Sequence, residues 1–140
     1  MYGFPMVSED DFTAIVVRFS PFTESGMLKN VEKQRVRDQI SGVPERLGVS
    51  VFASPREPGE SVEDTVQRIC NEVRNYASGE RLAVASEQVL NNAGYALHLN
   101  EPPPGHYLVG KAVLTEMPDL EGLAKILSLD RRKNLAFKEG

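Results

Sequence analysis

A chain of 140 residues with a formal net charge of −4 and a pI near 5.2 argues against a dedicated nucleic-acid binder, because neutralising phosphates with Lys and Arg dominates such affinity. The single cysteine, Cys70, excludes an intrachain disulfide and a thiolate zinc cluster. A chain of this length buries roughly 68–70% of its unfolded surface, enough to hold a core without either. A reducing, cytoplasmic setting is therefore expected, with residues 1–140 forming a single globular α+β domain.

Residues 1–7 are apolar and carry no basic leader, so they do not read as a secretory signal. The longest aliphatic run, Ala14 to Val17, falls far short of the ~20 residues a membrane helix needs, and no membrane partner is expected. The N-terminal arm, 1–10, and the C-terminal tail, 129–140, are the segments expected to be flexible. The arm is expected to pack back on its own chain. Phe12 to Phe19 is rich in β-branched and aromatic residues and closes at Pro21, the pattern of a strand covered on both faces.

Ser25-Gly26 offers a helix start, and Met27 to Ile40 fits a surface helix with Leu28, Val31, Val36 and Ile40 turned inward. Along it Lys29, Lys33 and Arg37 recur at i, i+4 and i+8 as a basic ridge, a candidate binding surface for phosphates or an acidic partner. Acidic neighbours such as Glu32 and Asp38 favour an ordinary solvated face over that reading. A second strand is expected over Val49 to Ala53. The loop from Ser54 ends at Ser61-Val-Glu-Asp64, a capping-box-like helix start. Val62, Val66, Ile69, Val73 and Tyr76 or Ala77 then trace one helical stripe, with Cys70 beside it as a small core residue.

Ser78-Gly79 interrupts that helix, and Leu82, Ala85, Val89 and Ala93 predict another, with Gly94 at its end. Two strands, 95–100 and 106–114, form a hairpin around a proline loop and hold both histidines of the chain. With Asn100 opposite His106, the odd-numbered residues of both arms share a core face, and His98 and His106 lie diagonally on the other. Asp119 caps a last helix with Leu120, Leu123, Ile126 and Leu127 inward, and Asp130-Arg-Arg-Lys133 follows as basic residues at a helix end. The sum is about four strands in a mixed sheet and four helices packed on its apolar face. The first two strands, joined through a helix, suit a parallel crossover.

No nucleophile elbow, phosphate loop or dinucleotide-binding turn is present. Two histidines do not complete a zinc site, so no metal or cofactor is expected. His98 and His106 are nevertheless candidate catalytic groups for a small hydrolase or phosphate-handling enzyme. The two-histidine phosphoesterase pattern fails, because Asn100 and Leu108 stand where Ser or Thr is needed. The favoured expectation is a non-catalytic protein-binding or regulatory domain, acting as an oligomer or as a subunit of a complex. Its candidate binding residues are Asn100, Glu101 and His106 on the hairpin and Lys29, Lys33 and Arg37 on the helix. A nucleic-acid-binding protein using Lys29, Lys33, Arg37 and the Arg131–Lys133 run is the third alternative.

Overall fold

The computed structural model describes residues 7–74 and 79–134. Ten elements follow one another: β1 (Ile15–Phe19), α1 (Glu24–Ser41), β2 (Val49–Ser54), α2 (Val62–Glu72), β3 (Arg81–Ser86), α3 (Glu87–Asn92), β4 (Ala96–Leu99), β5 (His106–Gly110), α4 (Leu120–Leu127) and β6 (Arg131–Lys133). The six strands form one sheet in the order β4-β5-β2-β1-β3-β6, and every neighbouring pair is antiparallel. The α+β class is as expected; the sheet is larger than expected and is antiparallel, not mixed. No helix among the described residues is long and apolar enough to cross a membrane.

Helices cover both faces of this sheet, a correction to the single apolar face expected. Val16, Val49, Val51, Ala53, Ala83, Ala85 and Val109 pack with Met27 and Val31 of α1, Leu90 of α3, and Leu120, Leu123 and Leu127 of α4. On the opposite face Ile15, Val17, Phe19, Leu82 and Val84 pack with Val62, Val66, Ile69 and Cys70 of α2. β1 is therefore buried throughout, which is why its sequence is nearly continuously apolar.

Two strands escaped the periodicity argument. β3 was expected as part of a helix because Leu82, Ala85 and Val89 also fit a helical stripe. In fact Leu82 and Val84 face α2 while Ala83 and Ala85 face the other core, and only residues 87–92 turn into helix. Short alanines on one side of a doubly buried strand blur the distinction between the two periods. β6 takes the Arg131–Lys133 run, which pairs with Arg81–Ala83 and is no frayed tail or helix-end charge. Val7 to Asp10 are likewise anchored: the Val7 amide donates to Asp130 Oδ2 and Glu9 accepts from Arg56 and from the Val62 amide. Residues 1–6, Tyr76, Ala77 and 135–140, on which other expectations fell, lie outside the described residues.

β1 and β2 are antiparallel, contrary to the expected parallel crossover. Residues 42–48 are the reason. Seven residues at full extension reach roughly 23 Å, close to the ~27 Å length of an 18-residue helix. That segment carries the chain back along α1, so β2 begins at the end of the sheet where β1 finishes. Asp38 holds it there, accepting from the Arg46 amide and guanidinium and, through its carbonyl, from the Val43 amide.

The local signals at helix starts were sound. Ser61 and Asp64 form a reciprocal capping box on α2, and Asp119 caps α4. The loop before α2 is fastened by Arg68, whose Nε and Nη2 each donate to Glu60 at 2.8 Å, with further bonds to Ser54 and Pro55. Those bonds from Arg68, then the Glu57 amide, hold the Glu60 carboxyl down to about 2 from an ordinary 4.5. The folded value lies below the unfolded one, so the stabilisation is complete above about 4.5 and is lost as pH falls towards 2. Thermal melts of the wild type should decline across that window, and Glu60→Gln should flatten part of the decline. Parallel profiles for the two proteins would contradict this.

Candidate functional site

The outward side of α1 is the inverse of what a surface helix should show. Its buried residues are Met27, Val31, Gln34 and Asp38. Leu28, Val36 and Ile40, expected inside, face solvent, with Ile40 82% exposed. The returning segment explains the inner half: Gln34 Nε2 donates to Asp38 Oδ1, and Asp38 is bound in turn by Arg46. Burial pushes the Asp38 carboxyl up, but the hydrogen bonds from Arg46 and Gln34 outweigh it and leave the carboxyl below its ordinary value. Met27 and Val31 fill the first half of the inner side; in the second half Asp38 is held by Arg46 and Gln34 by Asp38, and Val36 and Ile40 are left facing outwards. There Leu28 and Val36 form an open apolar strip on the helix surface, bordered by Lys29, Glu32, Lys33 and Arg37.

The hairpin has the expected register. His98 lies opposite Leu108 and Leu99 opposite Tyr107, and the Asn100 amide donates to the His106 carbonyl. Leu97, Tyr107 and Val109 turn to the α1/α4 core. The second arm is shorter than expected, ending at Gly110. Leu114 folds back there, and a Cβ on Gly110 would lie 2.8 Å from its side chain. The even-numbered face is therefore only partly open, and Leu108 on it is fully buried.

The two histidines have different surroundings. His98 Nε2 is 2.8 Å from the Lys111 carbonyl, and His106 Nδ1 is 2.8 Å from the Asn100 carbonyl, with its ring packed on Phe52. His106, Asn100, Glu101 and Arg37 line a common cleft of about 650 Å³ against α1, from which His98 is missing. In it Arg46 bridges Asp38 to the Asn100 Oδ1, and Glu101 accepts from the Gly105 amide across its own loop. No group of three or more His, Cys, Asp or Glu placed to hold a metal occurs among the described residues.

The remaining candidates, Lys29 and Lys33, line a second cleft of about 490 Å³ with Arg18, Thr23, Ser25, Gly26 and Asn30. It opens where β1 leaves β2. Their pairing stops at Val17–Phe52, while β1 stays on β3 as far as Phe19–Leu82. Ser50, which two further steps would pair with Phe19, is satisfied by side chains instead: Arg18 Nη1 donates to its carbonyl and its amide donates to Asn30 Oδ1. Gly26 is needed at this point, since a Cβ would sit 2.7 Å from Pro21.

Asn100, Glu101, His106 and Arg37 thus fall in one cleft and Lys29 and Lys33 in another, and the two share Asn30. Sequence reasoning missed Arg18, whose flanking apolar run marks it only as a strand residue. The Arg131–Lys133 run does not join them as a basic patch. Arg131 stacks on the Phe22 ring, and Arg132 is engaged by Asp130 and Glu63. Comparison with protein-family models, curated proteins and solved structures found no match.

Proposed function

We propose that this chain is a non-catalytic protein-binding domain, and that the outer face of α1 docks an acidic, apolar-patterned segment of another protein. The observation that carries this is the outward apolar strip of α1, with Leu28, Val36 and Ile40 exposed although the inner side buries the polar Gln34 and Asp38 beside Met27 and Val31. Solvation alone does not favour such an arrangement, and apolar side chains grouped with a charged border mark interaction surfaces.

Charge selects the occupant. Lys29, Lys33 and Arg37 flank the apolar residues against the single acid Glu32, and none of the three cations has an ion-pair partner among the described residues. A second copy would bring the same positive patch against itself, which disfavours an isologous dimer. An acidic amphipathic helix would match both the apolar stripe and the basic border.

The test uses two fluorescent helical peptides of the same leucine pattern, one with glutamates and one with lysines on the polar face. The acidic peptide should bind, with amide NMR shifts confined to residues 28–40, and the basic one should not. Ile40→Asp should weaken binding by roughly 10-fold or more, the equivalent of one buried aliphatic side chain. Binding of neither peptide would sink the reading. So would a stable dimer that Ile40→Asp converts to monomer.

A further inference from the structure

Arg18 is an anomaly that the protein-docking face does not use. It is 6% exposed, yet no carboxylate among the described residues pairs with it. Its Nε donates to the Pro21 carbonyl at 3.1 Å and its Nη1 to the Ser50 carbonyl at 2.6 Å. Its Nη2 has no hydrogen bond among the described residues. No buried side-chain nitrogen or oxygen among the described residues is left unpaired, so this nitrogen opens to the cleft that Arg18 lines. Burial alone pulls the guanidinium down to about 10, still fully charged at neutral pH. A buried cation is costly unless it is paired, and here the neighbouring carbonyls supply only partial charge.

The cleft is built to add to that charge. Lys29 and Lys33 reach it from successive turns of α1, and among the described residues no acidic one lines it. The first turn of the 18-residue α1 forms its rim, where Thr23 accepts from the Gly26 amide and Ser25 adds a hydroxyl. Thr23 already takes the Gly26 and Met27 amides, so the positive end of the helix dipole and the first two amides, beside the Glu24 carboxylate, are what the terminus offers an anion. Three cations without a counter-charge suit a dianion better than a single carboxylate. A space of about 490 Å³ is larger than inorganic phosphate and falls in the range of small-ligand pockets, roughly 300–1,000 Å³.

We propose that the cleft where β1 parts from β2 binds the phosphate group of a small phosphorylated molecule, held by Arg18, Lys29, Lys33 and the first turn of α1. The Arg18 fork supplies directional hydrogen bonds through the nitrogen left open, and the lysines act as point charges. The cleft shares Lys29 and Lys33 with the α1 docking face, but Arg18 belongs to the cleft alone and Leu28 and Val36 to the outer face alone, so Arg18→Gln tests the cleft without touching that face.

Titration calorimetry and amide NMR with inorganic phosphate, ribose 5-phosphate and ribose test the proposal. Saturable binding of the two phosphates, with shifts at Ser25, Gly26 and Ser50, and none of ribose, is expected. Tighter binding of ribose 5-phosphate identifies a phosphorylated metabolite as the ligand; equal affinity identifies free phosphate. Arg18→Gln should weaken binding roughly 10-fold or more, as loss of a charged hydrogen-bonding group does. Because Arg18 is buried, the exposed pair Lys29→Gln/Lys33→Gln provides a second arm, expected to weaken binding several-fold while Lys111→Gln does not. The proposal is overturned if neither phosphate binds saturably, if ribose binds as well as its phosphate, or if the lysine pair and Lys111→Gln behave alike.

Discussion

Replacing Asp130 with Ala should lower folding stability by about 3–5 kcal/mol, the usual consequence of removing one partner from a buried ion pair. Asp130 is 4% exposed, and its carboxylate is met by three donors: Arg132 Nε at 2.9 Å, Arg132 Nη2 at 3.0 Å and the Val7 amide at 2.9 Å. Its own carbonyl accepts from the Val84 amide, so the residue ties the start of β6 to β3 as well. Without the carboxylate, Arg132 keeps, among the described residues, the exposed Glu63 as its counter-charge. For a chain of this size the midpoint of thermal unfolding should fall by roughly 10–20 °C. Arg132→Met in the Asp130→Ala background should recover part of the loss, because it removes the stranded charge. A drop of only a degree or two, with no recovery in the double variant, would show that the pair contributes nothing.

Asp130 also shows where sequence reasoning reached its limit. Next to the α4 helix, Asp130-Arg-Arg-Lys133 has the look of dipole complementation, and charge alone offered no reason to expect a strand. What makes it one is a long-range partner: β3 has an open edge, and the Arg132–Asp130 pair faces Glu63 at the start of α2. Non-local pairing of that kind leaves no periodic trace in three residues. The hairpin was legible because its two arms are close in sequence and a one-residue slip would have exposed Leu97 and Val109. Caps were legible for the same reason, since Ser61 and Asp119 bond within their own first turns.

Helix α1 misled by contrast. The expectation that Leu28, Val36 and Ile40 point inward rested on apolar residues choosing the core. The segment 42–48 competes for that side: its Arg46 pairs with Asp38 and bonds its amide to the same carboxylate, which keeps Asp38 turned inward. The candidate site was therefore legible only in part. Lys29, Lys33 and Arg37 form a ridge that the spacing announces, and Asn100, Glu101 and His106 share a cleft with Arg37. The separation of His98 from that cleft, and the charge of Arg18 beneath the other, depend on how α1 lies across the sheet.

That placement can be tested at Asp38, which is 1% exposed and joins α1 to the returning chain. Asp38→Ala should cost about 2–4 kcal/mol, less than the Asp130 variant because Arg46 retains access to water. The Arg46 amide, which donates to Asp38 Oδ2 at 2.8 Å, should then exchange with solvent much faster while amides of the β1–β3 ladder change little. Freed from Asp38, Arg46 should also lose its hold on Asn100 Oδ1, now at 2.7 Å, so the Asn100 side-chain resonances should shift at a site many residues away in sequence. Asp38→Asn separates charge from geometry: it keeps an acceptor for Gln34 or Arg46 and should be the milder change. The wild-type carboxyl lies below its ordinary value when folded, so its contribution is complete at neutral pH and is lost as pH falls through that depressed value. Asp38→Asn should therefore be destabilised most at neutral pH and approach the wild type in acid. An unchanged Arg46 exchange rate in Asp38→Ala would mean that the return segment is held by something other than this carboxylate, and the account of why α1 turns its apolar residues outwards would fall with it.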